Sequence, residues 1–522
     1  MSMTSTGEAK PGTMGQLQGA LTFRAQGWDT AVSKSVLWRL PVRVAIIYPP
    51  LLSDKGVPLL SQNRQFQWFH RPTYIYPVVP ALAATLAHKA GHEVAWLDGI
   101  AEGWTPDEFD AQLKAFNPEL VVLETKTPVV KLHWQFVRSL VMQRPTTRVV
   151  MVGDHVTALP AETFANCPVN YILTGGNYDF LLLNLLAHLT RDDALEPGIY
   201  WREGGAVHNS GTFRLDHDLR TQPWIDRDLT RWRLYSVKNG NFRRTPGTYI
   251  MSGRDCWHGK CTFCSWTTLY PSYRTRDPID VVNEIGNLIE RYGVREIMDD
   301  AGSLPVGDWL TTFCREMIAR GYHKKIRIDC NMRFGRLTLD DYRLMRQAGF
   351  RLILFGMESA NQATLDRLVK GVQVAQIREG AHAAARAGLD VHVTVMFGYP
   401  WENEADVRNT VELARTLLRK GDAYTLQVTM VVPYPGTPLF RELDAQGLLQ
   451  TRNWDDYDMR TAVMKCPLPE DTIKAAVRQV YRGFLLPETI LRRIVTTRHP
   501  VDDLKFYWRG FRSLVGHLRD FR

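Results

Sequence analysis

The sequence predicts an α/β protein: an N-terminal doubly wound parallel sheet, then a partial (β/α)6 barrel, then a helical C-terminal tail. Three observations predict it. Short apolar runs alternate with stretches of helical spacing, the pattern of strands buried on both faces between crossover helices. Six such runs in the second half recur about every 27 to 48 residues, the size of a βα unit. At 522 residues the chain also exceeds what one ordinary core accommodates.

Composition narrows the class. Hydrophobic residues make up 45% and charged residues 23%, the balance of a soluble globular protein. No apolar run approaches the ~20 residues that span a bilayer. Residues 1–40 read as a polar leader without an apolar signal core, so a cytoplasmic location is expected. The net charge is +9, and residues 471–522 hold 11 Lys/Arg against 5 Asp/Glu. The imbalance is thus local, which argues against a nucleic-acid surface across the molecule.

The first unit is expected over residues 41–190. VRVAIIYPP opens it as a buried strand, followed by a helix from Val79 to Ala90 that Gly91 caps. HEVAWLDG, PELVVLETK, TRVVMVGDH and VNYILTGG are the next strands, with helical spacing over Trp104–Phe116 and Phe180–Leu189. Ligands of such sheets bind beyond the strand carboxyl ends. Those ends are Pro49-Pro50, Thr125-Lys126-Thr127, Gly153-Asp154-His155 and Thr174-Gly175-Gly176. Residues 191–245 read as a connector containing a hairpin around Gly204-Gly205. The barrel is expected over residues 246–465, its strands ending near residues 253, 300, 331, 359, 398 and 432. Residues 466–522 form a helical basic region.

Chemistry concentrates at the first barrel strand. Of seven cysteines, an odd number that fits no disulfide framework, Cys167, Cys314, Cys330 and Cys466 are scattered and read as buried small hydrophobes. Cys256, Cys261 and Cys264 lie on one loop, SGRDCWHGKCTFCSW. Three clustered thiolates suit an iron–sulfur cluster, a zinc ion with His258 as fourth ligand, or reactive thiols without metal. The residues alone leave these three open.

The loop resembles that of the radical S-adenosylmethionine (SAM) superfamily, whose pattern is CxxxCxxC with an aromatic before the last cysteine. Phe263 fills the aromatic place. The chain departs in carrying four residues, Trp257 to Lys260, between the first two cysteines, so the loop must bulge near Cys256. The resemblance implies a 4Fe–4S cluster on the three cysteines, with one iron left open for SAM. It also implies SAM contacts at Phe263, at Asp299 and Asp300 after the second strand, at Asn331 and Arg333 after the third, and at Gly356, Glu358 and Ser359 in FGMESA. Read without the family, the Asp pair caps the next helix equally well. FGYPWE and VVPYPGTPLF resemble strand-end segments of the members that carry a cobalamin domain, and the likeness spans roughly residues 40–490.

A doubly wound unit ahead of the barrel is the arrangement of the cobalamin-binding subgroup. GDHVTALPAE is similar to its Gly-x-His-x-T-x-x-P segment, while TGGNYDF matches its Gly-Glu-Gly run only in part. The Asp-x-His-x-x-Gly signature that brings histidine to cobalt elsewhere is absent, as is common in this subgroup. The resemblance places cobalamin contacts at Pro50, Thr125, Lys126, Gly153, His155, Leu159, Gly175 and Gly176. His155 reads equally well as a satisfied loop histidine.

The implied activity is reductive cleavage of SAM and hydrogen abstraction from an unactivated carbon, with cobalamin-dependent methylation as the main outcome. Non-methylating cyclisation, ring contraction or radical coupling is the alternative, and an iron–sulfur or zinc scaffold without catalysis is the third reading. The implied partners are a small-molecule substrate, lipid or other natural product, and a reductant such as flavodoxin or ferredoxin. Methylthio transfer to RNA is not expected, because no second cysteine triad precedes Cys256. In the tail, Leu504, Trp508, Phe511, Val515 and Leu518 recur at helical spacing beside Lys505, Arg509 and Arg512. This stripe either packs on the protein or gives peripheral contact with an anionic membrane.

Overall fold

The structure, a computed structural model, describes residues 40–59, 67–69, 73–240, 242–254, 256–489, 491, 504, 506 and 508. The first sheet contains β1 (Arg43–Tyr48), β2 (Glu93–Asp98), β3 (Leu120–Glu124), β4 (Arg148–Val152), β5 (Tyr171–Leu173), β6 (Ile199–Glu203) and β7 (Ala206–Asn209). Their spatial order is β2-β1-β3-β4-β5-β6-β7, and the first five run parallel. The continuous apolar character of β1 follows from its two covered faces. Val44 and Ile46 join one core with α1 (Val78–Lys89) and α4 (Tyr178–Arg191). Ala45 and Ile47 join the other with α2 (Pro106–Phe116) and α3 (Val130–Gln143). The start of α2 is fixed by Thr105 and Glu108, which cap each other's backbone N–H, and by Pro106 in its first turn.

The connector segment does more than connect. Its hairpin, β6–β7, adds to the sheet edge antiparallel to β5, so the sheet is not parallel throughout. The reason is local: Gly204 and Gly205 both take positive φ, 56° and 76°, which a two-residue hairpin turn requires. Farther on, the buried Arg227 donates to Thr248 Oγ1 (2.8 Å) and the Tyr249 carbonyl (2.9 Å) and pairs with Glu284 (3.3 Å), tying the connector to the barrel.

The barrel strands are β8 (Gly247–Ile250), β9 (Glu296–Asp299), β10 (Arg327–Met332), β11 (Phe350–Glu358), β12 (Asp390–Phe397) and β13 (Thr425–Met430), parallel and in sequential order. Helices α5 (Pro278–Tyr292), α6 (Asp308–Ala319), α7 (Leu339–Gln347), α8 (Val374–Arg386) and α9 (Glu404–Lys420) separate them, and α10 (Glu470–Arg482) follows. At the amino ends of the strands, buried Arg351 pairs with Glu296 and Asp329, each at 2.8 Å, and with Asp390 at 3.2 Å. Isolated, each of these charges would be strongly disfavoured there; together they link four strands.

The described part of the tail reaches this same end, away from the cysteine loop: the Phe506 ring lies 6.3 Å from that of Tyr424. Of the tail stripe, Leu504 and Trp508 are 70% and 60% exposed. Phe511, Val515, Leu518, Lys505, Arg509 and Arg512 lie outside the described residues. Among the described residues, no helix is long and apolar enough to cross a membrane.

Candidate functional site

The cysteine loop leaves β8 at the carboxyl end of the barrel. Gly253–Arg254 pairs antiparallel with Arg274–Thr275, closing the loop at its base. The extra residue between the first two cysteines is absorbed at Gly259, whose φ of +61° is readily available to glycine alone. Cys256 Sγ lies 3.2 Å from Ser303 Oγ. Trp257 lies under the guanidinium groups of Arg333 and Arg336, each 5.1 Å from its ring centre. Thr262 is fixed on both sides: its N–H donates to the Leu368 carbonyl (3.0 Å) and its carbonyl accepts from Leu439 N–H (2.9 Å). Cys264 N–H donates to the Cys261 carbonyl at 3.2 Å.

All three thiols are half-buried and free of disulfides. Burial pushes the Cys261 thiol up to about 12, against the pull of the Lys370 cation, with Cys264 and Cys256 adding to the rise. A bound metal removes such a proton outright. Among the described residues, no three His, Cys, Asp or Glu side chains converge on a single metal ion. His258 Nε2 sits 2.6 Å from the Val369 carbonyl oxygen. Three thiols on one loop suit an iron–sulfur cluster.

The other strand-end residues divide by what they touch. Asp299 Oδ1 accepts from the N–H groups of Ser252 and Ala301, both at 3.1 Å, and burial raises its pKa. Asn331 donates to the carbonyls of Asp299 (3.3 Å) and Ala301 (3.2 Å). Both therefore shape the backbone around Asp300, which is buried with its N–H on the Ile250 carbonyl (2.9 Å). Arg333 is different. It is buried, donates through Nη2 to the Lys370 carbonyl, and leaves Nε and Nη1 without a hydrogen-bond partner. Unpartnered N–H groups on a buried cation fit an anionic group such as a carboxylate.

Gly356, Glu358 and Ser359 act as a unit. Glu358 has φ +64° beside a register shift in the β11–β12 pairing. It pairs with Lys370 Nζ at 2.6 Å. A Cβ on Gly356 would stand 2.1 Å from Glu358 Oε1 and 2.6 Å from Lys370 Nζ, so only glycine admits this pair. Ser359 Oγ donates to Glu402 Oε1 at 2.7 Å, and Thr364 Oγ1 donates to the same oxygen at 2.7 Å. Phe263 lies over Lys370, with Nζ 5.6 Å from the ring centre.

The carboxyl ends of the first sheet face the cysteine loop. Gly176 N–H donates to the Leu269 carbonyl (2.9 Å), and Tyr270 OH donates to the Gly176 carbonyl (2.9 Å). Arg254 donates to Asp179 Oδ1 (2.7 Å) and Asn177 Oδ1 (2.9 Å) and is fully enclosed. Buried Lys126 lies 3.6 Å from Glu124, whose carboxylate also accepts from Tyr48 OH (2.5 Å) and Tyr178 OH (3.3 Å). Thr125 Oγ1 is 2.7 Å from His133 Nδ1, and its carbonyl crowds Gly153. His155 is wholly buried between the rings of Trp134 and Trp454, with Thr127 Oγ1 at 3.2 Å and Glu162 at 3.3 Å. Its Nε2 has no hydrogen-bond partner, the Glu162 carboxylate being its nearest charged neighbour. Leu159 is half-buried where two short helices meet, Pro50 packs on Gly99, and Gly175 packs on Phe213. Thr262 Oγ1, Thr268 Oγ1 and Tyr399 OH are buried without a hydrogen-bond partner.

Lys370, Asp179 and Tyr270 escaped the sequence reading. Asp179 lies in TGGNYDF, the segment that matches the Gly-Glu-Gly run only in part.

Residues 250–414 match the family model described as the radical SAM superfamily. An uncharacterized methyltransferase of Pyrococcus horikoshii is 26% identical over 78% of this chain and 87% of its own. The anaerobic magnesium-protoporphyrin IX monomethyl ester cyclase of Cereibacter sphaeroides is 24% identical over 83% of this chain and 69% of its own. The fold is shared with OxsB, a cobalamin-dependent S-adenosylmethionine radical enzyme solved with aqua-cobalamin and S-adenosylmethionine bound: TM-score 0.65, 15% identity, 92% of this chain and 72% of that one. The matched segment holds the cysteine loop and the barrel strands β9 to β12, so this part of the chain carries a radical SAM domain.

Proposed function

We propose that this enzyme holds a 4Fe–4S cluster on Cys256, Cys261 and Cys264, binds SAM against it, and carries cobalamin at the carboxyl ends of the first sheet. The reaction is methylation of an unactivated carbon in a small molecule. Bound together, these groups supply one-electron cleavage of the SAM carbon–sulfur bond and a transferable methyl group.

The chain's own residues prepare the site. Arg333, with two unused N–H directions, holds the SAM carboxylate. Asp299 and Asn331 set the loop at Asp300 for the amino group, and Gly356, Glu358 and Ser359 shape the ribose side. At the sheet, Pro50, Thr125, Lys126, Gly153, His155, Leu159, Gly175 and Gly176 are the residues that would hold cobalamin. The single observation that carries this reading is the direct seam between sheet ends and cysteine loop, from Gly176–Tyr270 to Asp179–Arg254. Ligands of the two units then meet in one water-excluding interior.

The test is anaerobic reconstitution with iron, sulfide and cobalamin, followed by SAM, dithionite and mass spectrometry of the products. Methylated product with both 5′-deoxyadenosine and S-adenosylhomocysteine is expected. 5′-Deoxyadenosine alone supports the second reading, non-methylating cyclisation, which the cyclase relative favours. Zinc without iron, or intact SAM after reduction, refutes both. The physiological reductant is a flavodoxin or ferredoxin in the cytoplasm. A lipid substrate would place the tail at a membrane surface, which liposome co-sedimentation with and without residues 500–522 tests.

A further inference from the structure

Residues 368–371, between β11 and α8, have a use that the cysteine pattern does not reveal. Three successive carbonyls of this short segment are engaged, two by the cysteine loop and one by Arg333. Leu368 O accepts from Thr262 N–H at 3.0 Å. Val369 O lies 2.6 Å from His258 Nε2, and Lys370 O accepts from Arg333 Nη2. Gly371 closes the segment with φ +62°, where an added Cβ would stand 3.0 Å from His258 Cε1.

The segment is also conformationally costly. Val369 takes φ +51°, and a β-branched residue in the left-handed region is a real outlier. Its side chain is 42% exposed, so no core packing offsets the cost. What the conformation achieves is to turn the Val369 carbonyl to His258 while the Lys370 side chain enters the barrel. There Nζ meets Glu358 at 2.6 Å and lies 5.6 Å from the Phe263 ring centre, between two cysteines in sequence.

We propose that residues 368–371 are a strap that fixes the cysteine loop, and that Lys370 is a positioning residue whose cation stabilises the reduced cluster. This rests on the cluster assignment above. One electron from an external low-potential reductant adds negative charge to a centre that three thiolates already make anionic, with no bond made or broken. A buried cation against Phe263, on the loop between Cys261 and Cys264, lowers the energy of that added charge, because little solvent screens it. Glu358 holds the ammonium in place and keeps it from being a lone buried charge.

The test uses the anaerobically reconstituted full chain and an EPR-monitored redox titration without SAM. Lys370→Met is expected to retain iron and sulfide at wild-type stoichiometry, and its midpoint potential falls below that of the wild type. Lys370→Arg restores most of the shift. In Glu358→Gln/Lys370→Met, which removes both charges, the potential returns toward the wild-type value. Val369→Gly, which removes the strained side chain, leaves the potential unchanged because all three carbonyl bonds persist. An unchanged potential in Lys370→Met overturns the electrostatic role, and loss of the cluster in that variant reduces Lys370 to a structural part. If the wild type itself assembles no cluster, the cluster assignment fails, a result distinct from either.

Discussion

Replacing Gly176 by alanine probes the seam between the two units at its tightest point. A Cβ there would stand 1.9 Å from Tyr270 Cε1 and 2.1 Å from Cζ. Ordinary carbon–carbon contact is roughly 3.5–4.0 Å, so the ring must retreat by about 1.5–2 Å. It has nowhere to go: Tyr270 is 1% exposed and stands 4.8 Å from the Trp266 ring. Overpacking of this kind costs about 1–3 kcal/mol. Retreat also breaks the Tyr270 OH bond to the Gly176 carbonyl, adding about 0.5–1.5 kcal/mol. Gly176→Ala is therefore expected to be less stable by about 2–4 kcal/mol. Urea unfolding of the anaerobically purified chain, followed by tryptophan fluorescence, measures this. Tyr270→Ala vacates the space, so in Gly176→Ala/Tyr270→Ala the two costs fail to add, with a coupling of at least about 1 kcal/mol. A single variant as stable as the wild type, or strictly additive costs, refutes the packing argument.

Three other outcomes follow from the same geometry. Cys256→Ala, Cys261→Ala and Cys264→Ala each lose most reconstituted iron and all SAM cleavage while far-ultraviolet circular dichroism stays unchanged; iron retained in Cys256→Ala alone would remove that residue from the ligand set. Arg254→Met leaves Asp179 buried without its cation and is expected to destabilise the chain by roughly 3–5 kcal/mol, read by urea unfolding, with Asp179→Asn in the same chain recovering part of the loss. Burial raises Asp98 to about 6, against the hydrogen bonds from Tyr235 OH and Ala101 N–H. Between the unfolded carboxyl value and about pH 6 the folded state binds the extra proton, so this group's contribution to stability falls as pH rises through that window. Asp98→Asn removes the dependence, and its stability relative to the wild type should rise by roughly 2–3 kcal/mol from pH 4 to pH 6.5 in urea titrations. A constant difference between the two would contradict it.

The strand–helix alternation was legible because the barrel strands keep apolar residues where they are buried, as a run in β11 and in alternation in β12. All six expected ends lie within three residues of the observed ones, as at Asp299 and Phe397. The hairpin β6–β7 was legible as a turn at Gly204-Gly205, but its pairing with β5 was not, since that choice depends on a distant edge. Helix boundaries moved by one or two residues for the usual reason that caps are local. The start of α2 lies at Pro106 and not Trp104 because Thr105 caps it.

The cysteines illustrate the division. Their number and nearness are properties of the chain itself, as is the need to bulge between Cys256 and Cys261, because covalent spacing sets the reach of a loop. Which side chains surround them depends on residues 75 to 111 positions away in sequence. Val369 O meets His258, Lys370 Nζ meets Phe263, and Asp179 meets Arg254 only after both units close on the loop. Sequence by itself determined the layered α/β architecture and the trio of thiols, since periodic burial and local spacing are written along the backbone. Tertiary structure alone decided which buried charges are paired and which N–H groups of Arg333 stay free, because burial removes water as a partner and leaves each polar group only what the fold brings to it.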